Sequence, residues 1–169
     1  MTATNTTSAH STHSPQSLAD VAQRADWLRL LALATGAELA RCTKPVLADF
    51  RFEWLRPPEH GLVMVRSRIG NTGDRFNVGE ATVTRCAVRH QAADGRTTVG
   101  VGHVMGVDAE RAERVAQVDA LLQVPALHGL LEQGVLHELR TCIEQRHRAQ
   151  QARTESSRVR FFTLQPEKA

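Results

Sequence analysis

The sequence contains no tyrosine, and aromatic residues make up only 4% of its 169 residues. Because stacking on nucleic-acid bases depends on aromatic side chains, this composition argues against a nucleic-acid partner. No apolar run reaches the length of a membrane span, and the N-terminus lacks a basic segment followed by an apolar one. We therefore expect a cytoplasmic protein that binds neither nucleic acid nor a membrane.

Cysteine is also scarce, with three residues, Cys42, Cys86 and Cys142, far apart in the sequence. An odd count without a CxxC or Cys/His ligand spacing predicts neither a disulfide scaffold nor a metal site. A reducing compartment fits this pattern best.

The rest of the composition is ordinary for a globular domain, with 41% hydrophobic and 23% charged residues. The formal net charge of +3 permits an anionic partner but does not demand one. Residues 1–17 are rich in Thr, Ser, Ala and His and lack apolar periodicity, which predicts a disordered tail. The length then leaves residues 18–169 as one domain.

Helical periodicity marks both ends of that domain. Trp27, Leu31 and Ala34 recur on one face, which predicts an N-terminal helix that ends at Gly36 and is followed by a short helix over 37–41. These two helices have a helix-turn-helix outline, but the second lacks the basic and polar residues suited to a DNA groove.

Later in the chain, Asp108 is a predicted N-cap. It precedes an apolar stripe that Pro125 ends or kinks. A further helical stretch covers about 126–151, weakened at Gly129 and Gly134.

Between the helices the hydrophobic period becomes two. It predicts strands over 50–55, 62–69, 82–89 and 97–105, with turns at 57–61 and 94–95. Short connections between adjacent strands favour an antiparallel meander. Val159, Phe161, Phe162 and Leu164 predict a short C-terminal strand. The fold class is therefore α+β, an antiparallel sheet with N-terminal and C-terminal helices packed on it.

The stretch RIGNTGDRFNVGEATVTRCAVR, residues 68–89, combines glycines with arginines. It lacks the lysine and the following helix that a phosphate loop needs. Residues 71–73 are expected to supply a positive φ, and Gly79 a bulge or a close neighbour. Two interpretations of the arginines stay open. Arg75, Arg85 and Arg89 could bind a phosphate or phosphonate, or they could pair with Glu80, Glu53 or a partner subunit.

Two more residues carry possible functions. His103 lies between glycines on a predicted strand, with no nucleophile or carboxylate in a recognisable motif, which favours a packed or interface residue. Asp119 falls near the apolar stripe of its helix, which predicts a buried hydrogen-bonding group or an interface residue.

Several separated motifs occur in one order between Asp26 and Leu164. They are GxxGxRFxxGE from Gly70 to Glu80, TRxAVR from Thr84 to Arg89, Gly100, VxGxD from Val104 to Asp108, AER at 112–114, DAL at 119–121 and RVxFFT at 158–163. In these motifs the chain resembles the PhnG family, a subunit of the bacterial carbon–phosphorus lyase core complex. The resemblance gives structural roles to Gly70, Gly73, Phe76, Gly79, Glu80, Gly106 and Asp119.

The resemblance also implies a function. Family members act with PhnH, PhnI, PhnJ and PhnL to join ATP and methylphosphonate, so that adenine leaves and alpha-D-ribose 1-methylphosphonate 5-triphosphate forms. It implies a mainly scaffolding subunit that self-associates as a dimer and has no catalytic residue, metal or cofactor of its own. ATP is then a substrate of the complex, and an iron–sulfur cluster and S-adenosylmethionine belong to a partner.

Within such a complex, Arg75, Arg85, Arg89 and His103 are candidate phosphate or interface contacts. The alternative function is a free-standing anion-binding or small transferase domain.

Overall fold

The structure is a computed structural model that describes residues 18–159, without the side chains of Leu18 and Asn71. Three strands lie between two groups of helices. In chain order the elements are α1 (Leu18–Leu33), α2 (Gly36–Leu47), β1 (Glu53–Arg68), β2 (Arg75–Gln91), β3 (Thr97–Met105), α3 (Ala109–Leu122), α4 (Pro125–Leu131) and α5 (His137–Ser156). The α+β prediction is confirmed for this range, whereas the predicted N-terminal tail and nearly all of the predicted C-terminal strand lie outside the described residues.

The strands form one antiparallel sheet in the order β1-β2-β3. β2 and β3 pair from Gln91 opposite Thr97 to Val83 opposite Met105. Beyond Val83, β2 pairs with β1 alone, from Thr82 opposite Leu62 to Arg75 opposite Arg68. Residues 62–68 and 75–82 therefore form a two-stranded extension, called here the distal ribbon.

The predicted turn over 57–61 is wrong, because β1 runs through it without a break. Pro57 and Pro58 lie where the register with β2 shifts between Arg56 and Glu59. β1 is an edge strand, and edge strands and bulges are where a strand tolerates residues without a backbone N–H. The two prolines therefore make an irregularity in one strand instead of ending it.

The helices cover one face of the sheet. α3 lies directly on β2 and β3, and α2 packs against α3 and α5. Val88 and Val104 from the sheet meet Leu31, Leu39 and Leu139 from the helices in a single core. The opposite face of the sheet, called here the open face, has no helix on it within residues 18–159.

Close packing of α3 on β3 depends on two glycines. A Cβ added to Gly100 would lie 1.9 Å from the carbonyl oxygen of Ala116, and one added to Gly102 would lie 2.0 Å from that of Ala112. Since carbon and oxygen atoms cannot approach so closely, only glycine allows this distance between helix and strand.

The start of α3 agrees with the prediction from the sequence, whereas the end of α1 does not. The Asp108 side chain accepts a hydrogen bond from the backbone N–H of Arg111, which confirms the predicted N-cap of α3. The predicted stop at Gly36 is wrong, because α1 ends at Leu33 and Gly36 is the first residue of α2. Thr35 and Glu38 form a capping box there, and the box starts a helix where the glycine suggested an end.

Pro125 follows the end of α3 and begins α4, as predicted. Gly134 lies in a π-helical turn, Glu132–Leu136, that joins α4 to α5. The weakened helical stretch predicted over 126–151 therefore corresponds to α4, this turn and most of α5.

Candidate functional site

Two arginines of β2 lie on the open face. Arg85 Nε donates to Glu59 Oε1 at 2.6 Å, and Arg89 donates to Glu53 Oε2 from Nε at 3.2 Å and from Nη2 at 2.6 Å. The predicted pairing with Glu53 is confirmed for Arg89, whereas Arg85 forms an ion pair with Glu59. Both pairs are exposed, so each contributes about 0–1 kcal/mol to stability.

Arg75 does not join this pair of arginines. It lies ten residues from Arg85 along the same strand, a separation of roughly 30 Å at the usual rise per residue. It stands opposite Arg68 at the end of the distal ribbon, where Arg66 lies opposite Asn77. The arginines that the sequence groups together thus occupy two separate places.

His103 lies opposite Arg85 and therefore shares the open face with it. Its side chain is exposed, so it is not packed in the core. This exposure excludes the packed role, and a phosphate or interface contact of His103 stays a prediction. Glu59, Arg85 and His103 form one row across the three strands.

The connection between β1 and β2 is a tight turn. The positive φ falls on Gly70, at 56°, one residue before the predicted stretch. A Cβ on Gly73 would lie 2.7 Å from the carbonyl oxygen of Ile69, so this glycine is needed for a close approach. Beside Gly79 the register with β1 shifts by one residue, which confirms the predicted bulge. These glycines shape the turn and the ribbon.

Thr84 forms a polar junction that the sequence did not reveal. Its hydroxyl donates to Gly106 O at 2.7 Å and accepts from the N–H of Asp108 at 3.0 Å. The Nδ1 atom of His60 lies 2.9 Å from the same oxygen. Because the hydroxyl hydrogen is directed at Gly106 O, His60 must donate from Nδ1. The junction fixes the chain between β3 and α3, where Gly106 has a φ of 89°.

Asp119 is fully buried and accepts four hydrogen bonds. Arg24 donates from Nε at 3.1 Å and from Nη2 at 2.7 Å, Trp27 Nε1 donates at 2.8 Å, and the N–H of Val101 donates at 2.9 Å. The prediction of a buried hydrogen-bonding group is confirmed. This carboxylate joins α1, β3 and α3 and stabilises the fold.

The three cysteines are free. Burial, together with the nearby Glu113 carboxylate, raises the pKa of Cys86 to about 11. Burial also raises the pKa of Cys42. Between Leu18 and Val159 no group of three or more His, Cys, Asp or Glu side chains is placed to hold a metal ion.

The distal ribbon exposes large apolar side chains. Seven of them belong to the ribbon or to the turn that closes it, and they are Leu62, Val63, Met64, Val65, Ile69, Phe76 and Val78. Contiguous exposed apolar surface marks interaction sites in folded proteins. Over the described range, no helix combines the length and the apolar character that crossing a membrane requires.

Comparison with known proteins identifies a family that the chain is similar to. Residues 22–165 match the family model described as phosphonate metabolism protein PhnG. The chain is also 42% identical over 149 residues to the alpha-D-ribose 1-methylphosphonate 5-triphosphate synthase subunit PhnG of Rhizobium meliloti (strain 1021), and this alignment covers 86% of the chain and 90% of that protein. The range matched by the family model includes the whole sheet, the distal ribbon and Asp119.

Proposed function

Since this chain belongs to the PhnG family, we propose that it is a subunit of an alpha-D-ribose 1-methylphosphonate 5-triphosphate synthase. The assembly would join ATP and methylphosphonate with release of adenine, as a step in phosphonate breakdown. The observation that carries this proposal is the 42% identity to a protein with that name over most of both chains. Residues 18–169 would form a single domain of the family.

The role we propose for this chain within the assembly is structural. Two features support it. Arg85 and Arg89, the arginines of the open face that could hold a phosphate, are each paired with a glutamate. The distal ribbon also exposes apolar side chains that water solvates poorly. Groups that bind and activate ATP would then come mainly from other subunits.

The proposed partners are PhnH, PhnI, PhnJ and PhnL, with two copies of this chain in one assembly. ATP would be a substrate of the assembly, and the iron–sulfur cluster and S-adenosylmethionine would belong to another subunit. Three free thiols suit the reducing cytoplasm, which is the location we propose.

Reconstitution tests the proposal. The full chain, the other subunits without it, and the complete mixture are each incubated with ATP and methylphosphonate, and free adenine is measured by chromatography. We expect adenine from the complete mixture only. Adenine released by the isolated chain would overturn the structural role, and full release without the chain would overturn its membership of the synthase.

The alternative of a free-standing anion-binding or transferase domain is not favoured. It lacks support from the family match, which points to a subunit. Arg85→Ala and Arg89→Ala variants offer a direct check on anion binding. We expect unchanged ATP affinity of the reconstituted assembly, because these guanidiniums are already occupied by carboxylates.

A further inference from the structure

We infer that the distal ribbon inserts into a cleft of another protein subunit, one with apolar walls and with carboxylates where the end of the ribbon arrives. This inference rests on the proposed function, because it takes the partner to be a subunit of the same assembly. It assigns the docking element within the chain and the chemistry of the surface that receives it.

The β1 strand of the ribbon carries apolar side chains on both faces, while β2 adds Thr82 and Glu80 opposite Leu62 and Met64. Neighbouring residues of a strand point to opposite faces, so Leu62 and Met64 lie on one face and Val63 and Val65 on the other. All four are exposed, from 40% for Val65 to 64% for Leu62. An antiparallel strand with one face in water normally alternates between apolar and polar residues. A strand with exposed apolar side chains on both of its faces fits a cleft better than a flat surface.

Within residues 18–159 the ribbon also lacks support from other elements. β3 ends at Met105, opposite Val83, so the ribbon has two strands in this part of the chain. An isolated two-stranded hairpin is marginally stable in water and needs a third strand or a packed helix. Its outer edges expose backbone N–H and C=O groups that can pair with another chain. A partner that surrounds the ribbon would therefore stabilise its strands as well as bury its side chains.

The charges at the end of the ribbon indicate the charge of the partner surface that receives it. Arg66, Arg68 and Arg75 lie at this end beside Asp74 of the turn, and Glu80 lies farther back along the ribbon, opposite Met64. Within residues 18–159 none of the three arginines has a carboxylate within ion-pair distance, and Arg68 donates only to the carbonyl oxygen of Gly73. Arginines at the rim of an interface are matched by acidic groups across it.

A second copy of the chain is a poor occupant. A symmetric contact in which the ends of two ribbons meet would bring their arginines together, and like charges in contact are unfavourable. The ribbon therefore fits a different protein, and the proposed dimer contact lies elsewhere on the chain.

Hydrogen exchange of the unmodified protein is the first test. Amide exchange over residues 62–68 and 75–82 is measured by mass spectrometry in the isolated chain and in the assembly. We expect at least tenfold slower exchange of these amides in the assembly. Equal exchange in the two states would overturn the inference, and so would a homodimer of the isolated chain that protects the ribbon.

Variants then separate charge from apolar contact. Arg66→Glu combined with Arg75→Glu reverses charge at the end of the ribbon, and Val63→Thr combined with Val65→Thr keeps the β-branched shape while adding hydroxyls. Arg148→Glu combined with Arg153→Glu on the exposed end of α5 is a control with the same charge change. Affinity for the assembly that lacks this chain is measured by biolayer interferometry. We expect about 100-fold weaker binding for the arginine pair, about tenfold for the valine pair and less than twofold for the control.

Ribbon variants that bind as tightly as the unmodified chain would overturn the inference. Adenine release keeps this result separate from the proposed function. If the unmodified chain restores release while its ribbon stays unprotected, only the inference fails. If the chain neither associates nor restores release, both fail.

Discussion

Asp119 shows how one side chain can hold several elements together. It receives hydrogen bonds from Arg24 and Trp27 of α1 and from the backbone of Val101 in β3. A charged residue inside an apolar stripe is visible in the sequence, so its burial was predictable. Its main partner was not, because Arg24 lies 95 residues away and many other arginines could have filled that place.

Asp119→Asn should therefore destabilise the fold strongly. The amide cannot accept all four hydrogen bonds, and Arg24 loses its only buried counter-charge. We expect the free energy of unfolding, measured in urea, to fall by about 3 kcal/mol. Asp94→Asn is a matched control, because Asp94 pairs with Arg96 at the surface. A loss below about 1 kcal/mol for Asp119→Asn would contradict the role given to this carboxylate.

Cys86 should make stability depend on alkaline pH. Burial raises its pKa to about 11 in the folded chain, whereas an unfolded thiol titrates near roughly 8.5. The folded state thus holds this proton more tightly. The contribution of this protonated thiol to folding stability is complete below the pKa of the unfolded chain. It is lost as the pH rises through the pKa of the folded chain.

The free energy of unfolding is expected to fall by up to about 1.4 kcal/mol per pH unit between about pH 9 and 11. Few other side chains titrate in this pH range, because the chain has no tyrosine and its lysines are Lys44 and Lys168. Urea unfolding of Cys86→Ala should show a shallower fall over the same range. Identical slopes for Cys86→Ala and the unmodified chain would refute the effect.

At the scale of elements, the closest approach of α3 to β3 is between small residues. Gly100 and Gly102 face Ala112, Ala116 and Ala120 at backbone distance. Each half of this contact is visible in the sequence, as glycines two apart in a strand and alanines four apart in a helix. Neither pattern states that the two elements pack on one another, so the contact itself was not predicted.

Gly102→Ala is expected to push α3 away from the sheet. The new methyl group would overlap the carbonyl oxygen of Ala112, which belongs to rigid helix backbone. Overpacking of this kind costs about 3 kcal/mol or more, seen as a lower midpoint in thermal and urea unfolding. Gly129→Ala is the control in an open part of α4 and should gain about 0.5–1 kcal/mol. Equal stabilities of the two variants would show that the contact tolerates expansion.

The elements also show where local signals mislead. Two adjacent prolines followed three residues later by a glycine usually mark a turn, yet Pro57 and Pro58 lie inside β1. Proline forbids a hydrogen bond only on one side of a strand, and the sequence does not say which side has a neighbour. The strand assignment over 97–105 was correct because alternating residues there have both a buried and an exposed face.

At the scale of the whole molecule, residues 18–159 divide into a helix-covered half of the sheet and a ribbon that no helix of this range covers. The meander order of the sheet followed from short connections, and the helical layer followed from periodicity at both ends. The projection of the ribbon was not predicted, because strand lengths depend on pairing between distant residues. For the same reason, the sequence did not show that Arg75 lies far from Arg85 and Arg89.

Salt should change the stability of the isolated chain little. Its exposed ion pairs, such as Glu53 with Arg89 and Glu59 with Arg85, each contribute about 0–1 kcal/mol. The pair of Arg24 with buried Asp119 is screened much less. We expect the free energy of unfolding to change by less than about 1 kcal/mol between about 0.05 M and 0.5 M NaCl. A larger fall would mean that surface charge holds the fold together.

β1 continues through its prolines, from the helix-covered half to the end of the ribbon. Its 16 residues span roughly 50 Å at the usual rise of a strand. A partner bound at the far end of β1 is therefore held at a fixed distance from a partner bound at the helices. A shortened β1–β2 pair, with two residues removed from each strand, would draw those two neighbours roughly 7 Å closer together.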